Sequence, residues 1–286
     1  MASYAMRKLK DRLAYFLGVF CVAVALVPLA SILVEVVRNG ISAINLSFLT
    51  TIPSITIGSQ SAGGIGPAIQ GTLLLLLLTS LFAVPTGLMA GIYLAEFGDN
   101  RLGRTIRFLN DVFTEFPSIV VGILIYSLVV VATRSFSPYA GATALAVIML
   151  PIVTRTTEES LKLVPNSLRD AAMALGIRKW RTTVSIVLTT GKGGIATGIL
   201  LSIARISGET APLLLTILGS QFFFSGWNSP IDALPLRIFK DASLPSALAQ
   251  QQAWGAALVL IGIVLSLNIT IRLATRGRYS ARGTRR

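Results

Sequence analysis

The chain contains no histidine and a single cysteine, and only 13% of its 286 residues are charged. Without imidazole it lacks the side chain that titrates near neutrality and the commonest metal ligand. One thiol, Cys21, can form neither an internal disulfide nor a thiolate zinc cluster. A soluble domain carries about a quarter charged residues, so an ordinary water-soluble enzyme is excluded. A phosphate-binding loop of the form Gly, four residues, Gly-Lys-Ser/Thr is also missing. Its nearest fragment, Gly191-Lys192-Gly193, has Ile186 where the first glycine belongs and no hydroxyl after the lysine. The chain is therefore not expected to hydrolyse ATP, and neither a cofactor nor a metal site is expected in it.

Apolar side chains are abundant instead, at 53% of the chain. They fall in runs near the ~20 residues that cross a bilayer. Six spans are expected, at 13–37, 71–94, 112–132, 139–153, 195–218 and 253–271, which makes the fold all-α and integral to a membrane. The run Leu73-Leu74-Leu75-Leu76-Leu77-Leu78 is apolar on every face, as in helices with no aqueous side. Pro28, Pro85 and Pro151 fall inside or near span ends, where neighbouring helices can satisfy the carbonyls that proline frees.

The 25 basic residues against 12 acidic ones give a net charge of +13. Before the first span stand Arg7, Lys8, Lys10 and Arg12, and between spans two and three Arg101, Arg104 and Arg107. Between four and five are Arg155, Lys162, Arg169, Arg178, Lys179, Arg181 and Lys192. After the sixth come Arg272, Arg276, Arg278, Arg282, Arg285 and Arg286. The other side holds only Arg38, Arg134, Arg237 and Lys240, while Arg205 alone lies within a span. By the positive-inside rule both termini are cytoplasmic, as in a multi-pass protein of the cytoplasmic membrane. Positives that flank spans form no single basic face, so nucleic-acid binding is excluded. The first apolar stretch exceeds the 7–15 residues of a signal-peptide core, and an uncleaved anchor is expected.

Two exterior segments have opposite characters. Residues 38–70 are rich in Ser, Thr and Gly and are expected to be loop with little regular structure. Residues 219–252 carry Phe222, Phe223, Phe224, Trp227 and three prolines, as a folded or interfacial loop would. Most acids outside these segments read as solvated. Arg107, Asp111 and Glu115, spaced four apart, predict a ladder on one helix face. Glu96 and Glu35 are expected to snorkel or meet water at span ends, and Glu158 and Glu159 to stay in water.

The cytoplasmic segment 154–192 is the most informative. Asn166 or Ser167 can cap a helix over 168–175, with an acid in the first turn and Gly176 closing it in the left-handed region. Two turns are too few to be stable alone. The alanines allow another surface to approach the backbone, so the helix is expected to dock on a partner or to pack back on this chain's own span ends. Asp170-Ala171-Ala172, three residues, Gly176, nine residues, then Ile186 and Leu188 resemble the EAA loop of ABC-importer permeases. Asp170 stands in place of the glutamate, and Thr189 in place of the final proline.

A second stretch, Ala204-Arg205-Ile206-Ser207-Gly208-Glu209-Thr210-Ala211-Pro212-Leu213-Leu214, is similar to the span-five signature of the permeases of phosphate importers. Ile92-Tyr93-Leu94-Ala95-Glu96 and Pro117-Ser118-Ile119-Val120 resemble that family's spans two and three. The resemblance implies a type I ABC-importer permease fold that carries phosphate. It also implies a sister permease, two copies of a separate ATPase and an exterior phosphate-binding protein as partners. On that pattern residues 1–65 hold the N-terminus, first span and exterior loop, 66–275 the transporter domain, and 276–286 a basic cytoplasmic tail. Asp170, Ala171, Ala172 and Gly176 become the ATPase-coupling residues.

Arg205 near the centre of span five must face protein or water, since a central arginine costs at least ~2.5–3.5 kcal/mol to insert. Glu209 lies one turn later on the same face. The pair reads equally as an electrostatic station for an anion and as a self-neutralising structural pair. The resemblance implies the first, because the resembling permeases move an oxyanion, and it adds Ser207 and Thr210 to the substrate path. Permeases for molybdate, sulfate or phosphonate, and an ion-gradient-driven carrier, remain the alternatives.

Overall fold

The structure, a computed structural model, describes residues 4–53 and 63–276. Most of the Gly-Ser-rich run at 58–64, and the basic tail from 277 onward, lie outside the described residues. In chain order the helices are α1 (Tyr4–Gly40), α2 (Leu46–Thr50), α3 (Gly66–Glu96), α4 (Arg101–Glu115), α5 (Ser118–Thr133), α6 (Pro138–Lys162), α7 (Asn166–Ala174), α8 (Lys179–Ser207), α9 (Ala211–Thr216), α10 (Leu234–Ala242) and α11 (Ala247–Arg276). Five of them, α1, α3, α6, α8 and α11, are by themselves long and apolar enough to cross a membrane.

Proline decides where the third and fifth spans differ from the sequence reading. The third span is expected over 112–132, but α4 and α5 meet at a bend of 104°. Pro117 follows Phe116, whose backbone is extended (φ −68°, ψ 131°), because the proline ring disfavours helical geometry in the residue before it. Residues 112–115 therefore belong to the amphipathic α4, and the apolar span begins only at Ser118. The fifth span is expected to run to 218, yet α8 ends at Ser207 and a separate short helix, α9, follows. Pro212 would clash with the carbonyl of Gly208 in a continuous helix; it sits in the first turn of α9 instead, where no N–H is needed. The fourth span corrects in the other direction. It is a 25-residue helix that runs on to Lys162, so Glu158 and Glu159 are helical; Glu159 stays in water, as expected, while Glu158 is buried.

The centre of the molecule is the parallel pair α3 and α6, with Gly87 against Val153 and Gly91 against Thr157. A Cβ added at Gly91 would lie 2.6 Å from Cβ of Thr157, so the two backbones touch where α3 has no side chain. Leu75, Leu76, Ala83, Leu145, Met149 and Val153 of this pair bury together with Ile206, Leu213, Ile217, Ile231 and Leu236. The core thus includes the break after α8 and the segment that follows it. α1 is exposed along most of its length and meets α11 at its end, where Gly40 packs on Trp254.

The described part of the segment 38–70 is more ordered than expected: Asn45 accepts from the N–H of Phe48 at 2.8 Å and starts α2. The 219–252 segment is folded, as expected. Trp227 stacks on Tyr139 with centroids 5.1 Å apart, the N–H of Leu234 donates to Thr72 Oγ1 at 2.8 Å, and that of Phe224 to Gln70 Oε1 at 2.9 Å. It closes the end of the bundle opposite α7.

Candidate functional site

Arg205 is the third residue from the end of α8, not the middle of a longer span. Ile206 and Ser207 beside it line the same small cavity as Thr72, Leu75 and Leu145, placing the break about two turns in from the starts of α3 and α6. After Ser207 the helix tightens: the N–H of Gly208 donates to Arg205 O at 3.3 Å and that of Glu209 to Ile206 O at 3.2 Å. Two polar residues are thereby presented on an irregular stretch within an otherwise apolar layer.

The side chains at the break separate into two kinds. Arg205 points outward, its side chain 59% exposed in the single chain, and Nη2 approaches Glu209 Oε1 only to 3.7 Å. Glu209 is largely covered. That separation is an ion pair without a hydrogen bond. Ser207 turns inward; it is buried and its Oγ donates to Ala204 O at 2.7 Å, satisfying a helix carbonyl. Thr210 stands partly exposed ahead of α9 without a side-chain cap to it. The structure therefore brings Arg205, Glu209 and Thr210 to one stretch and commits the hydroxyl of Ser207 elsewhere.

The α7 region lies at the other end. Neither Asn166 nor Ser167 caps the helix; Pro165 occupies the N-cap position without a side-chain bond. Its C-terminus closes as the sequence predicts. Gly176 has φ +75°, its N–H donates to Met173 O at 2.9 Å, and the next N–H, of Ile177, reaches back to Ala172 O at 3.1 Å. These two bonds satisfy the last carbonyls of α7 by the paired pattern of a left-handed closure. The alanines face opposite ways. Ala172 is buried, whereas Ala171 is exposed with Leu168 and Leu175, and Asp170 also stands in solvent. Met173 and Trp180 extend the exposed apolar surface.

Four charged residues that the sequence reading set aside meet at this end, two of them carboxylates with buried side chains and two of them partly buried arginines. Arg107 does not pair along α4; its Nε donates to Glu158 Oε1 at 2.7 Å, and Asp111 is approached instead by Arg155, at 3.7 Å. Glu158 is 4% exposed and also receives Lys162 Nζ at 2.6 Å. Glu96 does not snorkel: it too is 4% exposed and pairs with Arg169 of α7 at 2.7 Å. Glu35, by contrast, is exposed, accepting from Asn39 Nδ2 at 2.6 Å. The one sequence signal for Glu96 was an acid ending a long apolar run with a basic loop still to come.

At the opposite end Arg237 pairs with Asp232, Nε donating to Oδ2 at 2.8 Å, and lies 3.9 Å from Asp241. Asp232 Oδ1 is buried without a hydrogen-bond partner. Burial raises the pKa of Asp232 against the opposing pull of Arg237. Burial likewise pushes Asp241 up to about 6, Arg237 opposing and Asp232 adding to the rise. Lys240 Nζ donates to Leu218 O at 2.7 Å, tying this cluster to the end of the broken span.

Residues 87–277 match the family described as the binding-protein-dependent transport system inner membrane component. The chain belongs to this family. Among its relatives is the phosphate transport system permease protein PstA of Yersinia pestis, 46% identical over 94% of this chain and 91% of that one. The probable phosphate transport system permease protein PstA of Methanocaldococcus jannaschii is 38% identical over 95% of each chain. A chain of a bacterial alginate ABC transporter superposes with a TM-score of 0.68, covering 97% of this chain and 98% of that one at 13% identity. A chain of the MetNI methionine ABC transporter in an inward-facing conformation gives 0.57 over 74% of this chain and 95% of its own, at 16% identity. At such identities the likeness is one of fold, that of type I ABC-importer permeases. In this permease the matched region takes in both the break at Arg205 and the α7 loop.

Proposed function

We propose that this chain is a transmembrane permease subunit of an ATP-driven inorganic phosphate importer of the inner, cytoplasmic membrane. The observation that carries this reading is Arg205: a guanidinium at a broken span, exposed and held only at 3.7 Å by Glu209. A guanidinium keeps its charge at any physiological pH and forks onto phosphate oxygens. Glu209 competes with an arriving anion for the same group, which keeps occupancy short and lets the substrate leave. Thr210 adds a hydroxyl beside the pair. Because Arg205 points out of this chain, the path it serves lies between two permeases, this one and a sister permease, PstC.

The α7 end faces the cytoplasm, where the basic residues concentrate. There α7 offers Asp170, Ala171, Leu168 and Leu175 to a separate ATPase, a dimer of PstB, with Gly176 allowing the sharp exit. The closed opposite end receives phosphate from the exterior binding protein PstS, and lipid surrounds the spans.

The test is phosphate uptake by the reconstituted transporter, with sulfate and molybdate as competitors. Arg205→Gln should slow uptake by roughly one to two orders of magnitude, since a charge-assisted bond contributes about 1.5–3 kcal/mol. Adding Glu209→Gln should not restore it. Recovery in the double variant would make the pair structural and remove Arg205 from the path, and equal competition by sulfate would remove the phosphate assignment.

A further inference from the structure

The buried charges at the α7 end are arranged crosswise. Arg107 follows α3 in the chain and closes that helix, donating from Nη1 to Gly98 O at 3.0 Å and from Nη2 to Leu94 O at 2.8 Å. Its Nε reaches across to Glu158 of α6. Arg169 follows α6 and closes that helix, donating to Leu161 O at 2.8 Å and to Val164 O. Its Nε and Nη2 reach across to Glu96, the last residue of α3, at 3.0 and 2.7 Å. Each arginine therefore caps the helix it follows and neutralises the glutamate of the other.

Both positions suit the chemistry. A cation is favoured at a helix C-terminus, and a buried ion pair is tolerable only when its remaining donors are bonded. Arg169 meets that condition in full. With Asn166 Oδ1 as a further acceptor at 3.3 Å, its five N–H groups make five bonds. The Thr183 hydroxyl of α8 approaches the second oxygen of Glu96 at 3.5 Å.

The consequence is mechanical. α3 and α6 already touch backbone to backbone at Gly91. The short α7 is joined to the bundle by Pro165 on one side and the Gly176 turn on the other, and among its own residues only Ala172 is buried. We propose that Glu96 and Arg169 are positioning residues for energy coupling: they make α7 move as one body with α3 and α6, with Arg107 and Glu158 holding α4 in the same body. A push on α7 is then delivered to the core pair instead of being absorbed by the loop. This rests on the reading that α7 docks the ATPase.

The deciding variant is Glu96→Gln with Arg169→Gln, in the complete transporter with both permeases, the ATPase and the binding protein. Removing both charges leaves no unpaired buried ion, so the chain folds without the clasp. The ATPase should co-purify at the wild-type ratio, while ATP hydrolysed per phosphate imported rises by roughly two- to thirtyfold. An unchanged ratio would reduce the clasp to a structural contact, and loss of the ATPase would make it an assembly contact; either overturns the proposal. Gly176→Val tests the docking reading separately, because it alters the exit of α7 without touching the clasp. If that variant retains the ATPase and couples normally, docking fails whatever the charge-neutral variant shows.

Discussion

Arg169 and Arg205 each face one glutamate, yet the two sites are opposites. Arg169 is 16% exposed and uses every donor it has, two of them on Glu96. Arg205 is 59% exposed and stands 3.7 Å from Glu209 without a hydrogen bond. One guanidinium is consumed by the fold, and the other is left with its donors available. Arg237 falls between them, bonded to Asp232 but only 3.9 Å from a second carboxylate, Asp241. The lesson is that a charge in an apolar chain is not by itself a site. What distinguishes an arginine spent on the fold from one open to a ligand is how many of its donors the chain has already used.

The comparison is broken most forcefully at Arg169. Arg169→Met leaves Glu96 buried without its partner and should cost about 3–5 kcal/mol, measured as thermal unfolding of the purified complex or as loss of membrane-inserted protein. A loss below about 1 kcal/mol, the worth of an exposed pair, would place Arg169 in the same class as Arg205.

A smaller effect is expected at the intermediate cluster. Asp241 titrates at about 6 in the folded chain, above the ~3.9 of an unfolded aspartate. Between those values the folded state binds more protons than the unfolded one, so stability falls as pH rises through that window and levels off above it. Asp241→Asn should flatten this dependence and stabilise the protein at pH 7–8 by an amount of the order of 2 kcal/mol. Unfolding temperatures taken from pH 4.5 to 8 measure it, and a variant that keeps the wild-type slope would assign the dependence to Asp232 instead.

The smallest change in stability belongs to Arg205. Arg205→Gln should shift unfolding by less than about 0.5 kcal/mol, as exposed substitutions do, even while uptake falls. A large loss of stability in that variant would show that Glu209 depends on it and would erase the contrast with Arg169.

Much of the architecture was open to reading from the amino-acid order, because membrane spans need only long apolar stretches and basic flanks. The closure of α7 was equally legible, since a positive φ at Gly176 is a local property of a short motif. Pro117 and Pro212 were visible too, but the readings carried spans straight through them. Apolarity continued on both sides, and composition alone does not register a bend.

What the sequence by itself determined is therefore the approximate placement of the apolar spans, the uneven distribution of basic residues between their connections, and the presence of Arg205 and the α7 motif. These follow from hydropathy, charge counting and residues a few positions apart. Tertiary structure alone decided which charges are free. Glu96 and Arg169 are 73 positions apart and Arg107 and Glu158 are 51, so no local pattern joins them. They meet because α3 and α6 pack side by side and bring two helix ends, each with exposed carbonyls and an adjacent arginine, within reach of one another.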